Sequence, residues 1–292
     1  MSVFQGLEHI VREQELLAPY TWLRLGGAAE YFAEPTSRDE LVELVRAAQA
    51  AELPTRLLGG GSRILVPDEG VPGLVIHLSA PAFSEIRVED CRLITGGGTK
   101  LGHVVSTAVR EGLAGMESLV GIPGSVAGAL QGNSDSHGAS VGQWTDQVTV
   151  VTHAGEIKVR ERSDLRFSYR ESNLDELAIL EAQFVLEKGD PSELTRRMQK
   201  AWIIKKSTQP FGELGSGRVF KDPQGMNAAE LIDQAGLRGY QIGGVGISDK
   251  NANYVTASPG AKSQDVKKLI ELAKTRVHAG LGVTLECELR IW

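Results

Sequence analysis

Apolar positions along this chain switch repeatedly between a spacing of two and a spacing of three to four, and glycine clusters mark most of the switches. Behind Ser37-Arg38-Asp39-Glu40, which has the form of a capping box, Leu41, Leu44, Val45 and Ala48 keep the helical period and predict a helix ending before Pro54. Leu101, Val104, Val105, Ala108 and Val109 predict a second, closed by Gly112. Asp190-Pro191-Ser192-Glu193 supplies an N-cap, a proline at the first helical position and an acidic first turn for a third. That helix runs through Trp202 to Lys205-Lys206, where cations suit the negative end of the dipole. Asn227 opens a fourth that stops at Gly236, and Val266, Leu269, Ile270, Ala273 and Val277 line one face of a long helix over 263–279. Between them, Thr55–Leu58 and residues 73–78, 93–95, 148–151, 157–159, 178–186 and 254–256 read as strands. Residues 1–17 read as a lead-in helix with Leu7, Ile10 and Val11 on one face, 20–35 as two short strands about a turn, and 283–292 as a closing strand.

The result is an α+β pattern, with expected boundaries giving three units, 1–80, 81–189 and 190–292. A length of 292 residues allows this, because single cores stop growing at roughly 250–300 residues. Hydrophobic content of 41% and charged content of 23% are those of an ordinary soluble protein. The net charge of −6 argues against a broad surface for a phosphate backbone, so nucleic acid is not an expected partner. No run reaches about 18 apolar residues, and the start lacks a charged-then-apolar signal, so neither a membrane span nor export is expected. Cys91 and Cys287 form no CxxC pair, which suits a reducing cytoplasm. The six histidines are scattered, His103 among solvent-side helical positions, and no catalytic metal is expected.

Two glycine-rich turns change the picture. In Leu57-Leu58-Gly59-Gly60-Gly61-Ser62-Arg63-Ile64-Leu65-Val66 an apolar run stops at three glycines and resumes, and Gly121-Ile122-Pro123-Gly124-Ser125-Val126-Ala127-Gly128 echoes it. Side-chain-free backbone of this kind offers amide donors in a concavity suited to phosphate or pyrophosphate. The ordinary alternative for either alone is a turn that needs positive φ.

With these turns as anchors, the chain from about Tyr20 to Trp292 resembles the UDP-N-acetylenolpyruvoylglucosamine reductases, also called UDP-N-acetylmuramate dehydrogenases. The resemblance rests on Thr21-Trp22-Leu23-Arg24-Leu25-Gly26-Gly27, on the two turns with Pro67-Asp68 and Ala129, and on Tyr169-Arg170-Glu171-Ser172. It continues through Gln209-Pro210, Val219-Phe220-Lys221-Asp222-Pro223, residues 228–239 and Leu285-Glu286-Cys287-Glu288-Leu289-Arg290. It implies a PCMH-type FAD-binding fold, two α+β subdomains clasping FAD, followed by an α+β substrate domain. NADPH would reduce FAD, and the reduced flavin would reduce the enolpyruvyl group of a nucleotide sugar in peptidoglycan synthesis. A monomer is expected, and the short C-terminal region matches the branch without an inserted tyrosine loop.

The resemblance also implies a site. Leu58, Gly59, Gly60, Gly61, Ser62, Arg63 and Ile64, with Gly121, Ile122, Pro123, Gly124, Ser125, Gly128 and Ala129, would surround FAD. Arg63 and Ile64 stand where a covalent attachment would want histidine or cysteine, so FAD is expected without a covalent link. Arg170 would bind the substrate carboxylate and share the charge that develops on hydride arrival, since guanidinium stays ionised and offers a planar fork. Its ordinary alternative is a loop pair with Glu171. Glu286 matches the active-site glutamate, and alternation puts Glu288 on the same face. Lys205, Lys206, Gln209 and Asn253 would meet the nucleotide sugar.

Departures from the family pattern sit beside these matches. The family usually carries a serine proton donor immediately before Val-Phe-Lys, where this chain has Arg218, a very poor donor near neutral pH. Three explanations stand side by side: Ser216 donates instead, a water does, or the chain is a catalytically altered or non-catalytic FAD- or nucleotide-sugar-binding relative. Where the family commonly reads Met-Asn-Ala-Gly-Ala-Tyr-Gly, this chain has Gly132-Asn133-Ser134-Asp135-Ser136-His137-Gly138. Asn251 replaces a frequent histidine and Tyr20 a frequent asparagine.

Overall fold

The structure, a computed structural model, describes residues 3–211 and 215–292. The chain packs as two compact units, each drawn from separated segments. The first takes the N-terminal residues to Gln14, Glu30–Gly60 and Pro72–Ile204; the second takes Glu15–Ala29, Gly61–Val71 and Lys205–Trp292.

Unit one holds the greater part of two sheets. The first runs in the order Val11–Leu16, Ala28–Ala33, Val71–His77, Thr55–Leu58, with Thr55–Leu58 and Val71–His77 parallel. Helix α1 (Arg38–Ala50) covers it, and the four apolar positions that predicted the helix, Leu41, Leu44, Val45 and Ala48, are the ones it buries. Ser37 caps it through Glu40 N at 3.2 Å. The Glu40 carboxylate takes the Thr36 amide and hydroxyl, at 2.7 and 2.8 Å, rather than closing the box on Ser37. The second sheet is antiparallel, in the order Ile157–Glu161, Thr145–Val151, Ala178–Val185, Arg92–Gly96, Ile86–Glu89. Helices α2 (Leu101–Arg110) and α3 (Val126–Gln131) bury their apolar faces with it, while His103 stays exposed. A short α4 (Val141–Trp144) and a long α5 (Pro191–Thr208) follow. Asp190 caps α5, accepting from Ser192 N at 2.8 Å and Glu193 N at 3.0 Å.

Unit two is a four-stranded antiparallel sheet, Ser216–Arg218, Tyr254–Ala257, Val245–Ile247, Gln241–Ile242, packed by α6 (Ala228–Gln234) and α7 (Ser263–Leu281). Val266, Leu269, Ile270, Ala273 and Val277 of α7 are buried, as their spacing predicted. Arg290–Ile291 pairs in parallel with Ile64–Leu65.

Three expectations differ. In residues 1–17, where Met1 and Ser2 lie outside the described residues, a strand, Val11–Leu16, replaces the helix, because ladder pairing at the sheet edge outweighs weak local periodicity. Residues 20–35 carry one strand, not two: Gly27 N donates to Pro67 O at 2.8 Å, and a Cβ at Gly27 would lie 2.4 Å from Asp68 O. That close approach pins 21–27 as a loop. Residues 283–292 form a regular strand only at Arg290–Ile291. Upstream, Lys221 N to Glu286 O at 2.9 Å and Glu288 N to Val219 O at 2.7 Å leave one isolated bridge, Phe220 with Cys287, because the facing segment is itself irregular.

Candidate functional site

In unit one the two glycine turns meet backbone to backbone. A Cβ at Gly60 would lie 2.5 Å from Gly124 Cα, and one at Gly59 would lie 2.6 Å from Ser125 Oγ. Leu58 anchors the first turn in the core, and Gly121 (φ 76°) and Gly124 (φ 104°) shape the second. Ser125 caps α3 through Gly128 N at 3.3 Å, and Ala129 is buried behind it. Ile122 is half-buried and Pro123 exposed at the rim. Among the described residues the amides of Gly60, Gly124 and Ser125 make no backbone hydrogen bond, and amides in that state are donors an anionic diphosphate can take. On the unit-two side of the first turn, Gly61 (φ 64°) packs its Cα against Tyr20 O and accepts from Trp22 N at 3.1 Å. Ser62 and Ile64 follow, half-buried.

Also in unit one, Arg170 sits with φ 59° in the turn of a hairpin, Phe167–Ser168 with Glu171–Ser172. Its side chain is about one-tenth exposed, and its Nε lies 2.7 Å from Asp135 Oδ1, an ion pair rather than an aligned hydrogen bond. The partner foreseen as the ordinary alternative was Glu171; the carboxylate at this distance is Asp135. His137 stands exposed at a left-handed turn.

In unit two a carboxylate lies between two guanidiniums. Glu288 Oε1 is 3.3 Å from Arg63 Nη1, and its Oε2 is 3.4 Å from Arg218 Nε, with the glutamate side chain only 4% exposed. Arg218 also reaches Asp222 Oδ2 at 2.7 Å and donates to Phe220 O at 3.2 Å. Glu286, by contrast, has a side chain 67% exposed and pairs with Lys221 at 2.5 Å. The two glutamates that alternation put together therefore have opposite surroundings, and sequence reasoning passed over the buried one. Its signal was the second carboxylate of Leu-Glu-Cys-Glu-Leu-Arg, two residues from the arginine. Burial pushes the Cys287 thiol above its ordinary range, while a backbone hydrogen bond with Leu289 and the nearby Lys274 charge pull the other way.

Ser216 is buried and its hydroxyl donates to Pro210 O at 3.5 Å. Asn253, read as a substrate ligand, spends its side-chain amide on Phe220, accepting from Phe220 N and donating to Phe220 O, both at 2.8 Å. Its physical work here is to hold the segment that carries Arg218. Lys205 is buried at 5% exposure, unlike a solvated helix end, whereas Lys206 is exposed; Gln209 N donates to Lys205 O at 2.9 Å. Among the described residues no group of three His, Cys, Asp or Glu side chains could hold a metal.

Known proteins resemble the chain along nearly all of its length. Residues 209–292 match the family described as UDP-N-acetylenolpyruvoylglucosamine reductase, C-terminal domain, and residues 29–160 match the FAD binding domain. The chain is 38% identical to the UDP-N-acetylenolpyruvoylglucosamine reductase of Rhodopirellula baltica, covering 99% of this chain and 94% of that protein. It is 37% identical to that of Novosphingobium aromaticivorans, covering 94% and 92%. The crystal structure of UDP-N-acetylenolpyruvylglucosamine reductase from Thermus caldophilus superposes with TM-score 0.82 at 34% identity, covering 97% of this chain and 99% of that one.

Proposed function

The chain belongs to the UDP-N-acetylenolpyruvoylglucosamine reductase family, and from that premise we infer that it reduces UDP-N-acetylglucosamine enolpyruvate to UDP-N-acetylmuramate with NADPH, in peptidoglycan precursor synthesis. The chemistry that FAD supplies when bound is hydride transfer, in from NADPH and out to the enolpyruvyl double bond. The residues present fit that group. The amides of Gly60, Gly124 and Ser125 would hold its pyrophosphate, and the glycines around them leave the backbone accessible. With arginine and isoleucine at positions 63 and 64, the link is non-covalent.

The chain's own residues handle charge. Hydride arriving at one alkene carbon leaves enolate-like charge beside the carboxylate, which needs stabilising before a proton arrives. Arg170 takes the carboxylate and shares that charge, because a guanidinium remains ionised at any working pH. Glu288, held by Arg63 and Arg218, is the acidic residue of the site, and Glu286 stands outside it, paired with Lys221. Arg218 acts as a charge partner: two carboxylates engage its guanidinium, which is too weak an acid to donate near neutral pH. Lys205, Lys206 and Gln209 meet the nucleotide diphosphate, and Asn253 keeps the Arg218 segment in register.

We assign the first 189 residues to two FAD-binding subdomains, 1–80 and 81–189, and residues 190–292 to the substrate domain. The enzyme works as a monomer in the cytoplasm, where nucleotide sugar and NADPH are both found; no described helix is long and apolar enough to cross a membrane. The observation that carries this reading is the meeting of the two glycine turns at Gly60 and Gly124, in a chain alignable over nearly its whole length with reductases of this name. Incubation with NADPH and the enolpyruvyl nucleotide, followed by mass analysis, tests it. A product heavier by two hydrogen atoms is expected, and NADPH consumption without that product would overturn the reading.

A further inference from the structure

Arg170 and the loop carrying Asp135 are bolted together at several points in unit one. Asn133, 6% exposed, donates through Nδ2 to Ser168 O at 2.6 Å and accepts from Gly142 N at 3.0 Å. Ser172 Oγ donates to Gln131 O at 3.0 Å. Asp135 itself opens a hairpin, paired with Ser140, whose turn residues His137 and Gly138 both have positive φ. Asn133 and Arg170 are likewise left-handed, at φ 36° and 59°. Such backbone is costly for non-glycine residues and persists only where surrounding contacts over-determine it. Here it serves to bring one carboxylate to the inner edge of one guanidinium.

We propose that Asp135 is a positioning residue for Arg170: by taking the Nε edge, it fixes the plane of the guanidinium so that the outer Nη edge meets the substrate carboxylate. A guanidinium can be approached at its Nε side or its Nη end, and holding the first orients the second. The 2.7 Å approach and the Tyr169 ring, with its centroid 5.8 Å from Arg170 Cζ, together restrict the plane. This inference rests on the role given to Arg170 in the proposed function.

The test compares Asp135→Ala and Asp135→Asn in the wild-type and Arg170→Ala backgrounds. Asp135→Ala should lower kcat/KM for the enolpyruvyl nucleotide about ten- to a hundredfold while leaving flavin reduction by NADPH unchanged. Asp135→Asn, which keeps an acceptor oxygen, should recover part of that loss, and in the Arg170→Ala background neither change should matter further. Unchanged kcat/KM, a gain showing that Asp135 competes with substrate, or an equal loss in the Arg170→Ala background would each overturn the proposal. The Arg170 Nε–H resonance of the free protein provides an independent readout: it should move in Asp135→Asn, and a resonance that stays put contradicts the pairing. A wild-type protein that turns over no nucleotide would count against the parent reading instead, with that resonance still deciding the pair.

Discussion

Glu286 and Glu288 show what a single residue's surroundings decide. Both fit the same motif and the same alternation, yet one lies in solvent against Lys221 and the other is enclosed by Arg63 and Arg218. Glu288→Gln should therefore abolish most reoxidation of reduced flavin by the enolpyruvyl nucleotide, and Glu286→Gln should change it less than about threefold, as surface pairs contribute little. Equal losses in rapid mixing would contradict this assignment. Arg218→Ser should cost about 1–3 kcal/mol in denaturant melts and lower turnover at least tenfold, since it takes a charged hydrogen-bonding partner from the Glu288–Asp222 cluster. A gain in turnover would instead mean that position 218 still calls for a hydroxyl donor. The turn at Arg170 and the two glycine turns were legible in the sequence because backbone chemistry names them. Glu288 and Asp135 were not, because their partners come from segments far away in the chain.

At the scale of elements, α1, α2, α5, α6 and α7 were legible in the sequence, whereas the lead-in helix expected in residues 1–17 is a strand and the short α3 and α4 were not foreseen. Apolar stripes and caps are local properties, and α1, α2 and α7 bury the positions that the spacing selects. Short strands were less so, because their pairing depends on partners that the local pattern does not contain. Helix α7 joins both lessons: its own N-cap, Lys262, provides no side-chain bond, and Asp68 fills that role by accepting from Ser263 N at 2.8 Å and Gln264 N at 3.1 Å. Burial pushes the Asp68 carboxyl up, but those amides outweigh it and hold the group below its ordinary range. A carboxyl lowered in the folded state stabilises above its unfolded value, near 3.9, and loses that contribution as pH falls through its folded value. Asp68→Asn should thus destabilise by about 1 kcal/mol at neutral pH, with the difference from wild type shrinking below about pH 4. A difference in melting that does not depend on pH would contradict the cap. The glycine turns yield a second test at this scale. Gly60→Ala, whose methyl would press on Gly124 Cα, should purify with markedly less flavin, and full retention would remove that contact from the cofactor site.

For the whole molecule, sequence order marks where segments begin without telling which segments share a core. Residues 15–29 and 61–71 pack with the C-terminal residues in unit two, through the pairing of Ile64–Leu65 with Arg290–Ile291 and the Asp68 cap on α7. No local pattern announces such long-range company. The motifs did point to the family, because their order and spacing along the chain are properties of the sequence itself. The central claim is that this chain reduces an enolpyruvyl nucleotide even though an arginine stands at position 218. The most direct measurement is anaerobic stopped-flow mixing of the NADPH-reduced protein with UDP-N-acetylglucosamine enolpyruvate, following flavin absorbance. Rapid return of the oxidised flavin spectrum is the predicted result, and a flavin that stays reduced until oxygen is admitted would contradict it.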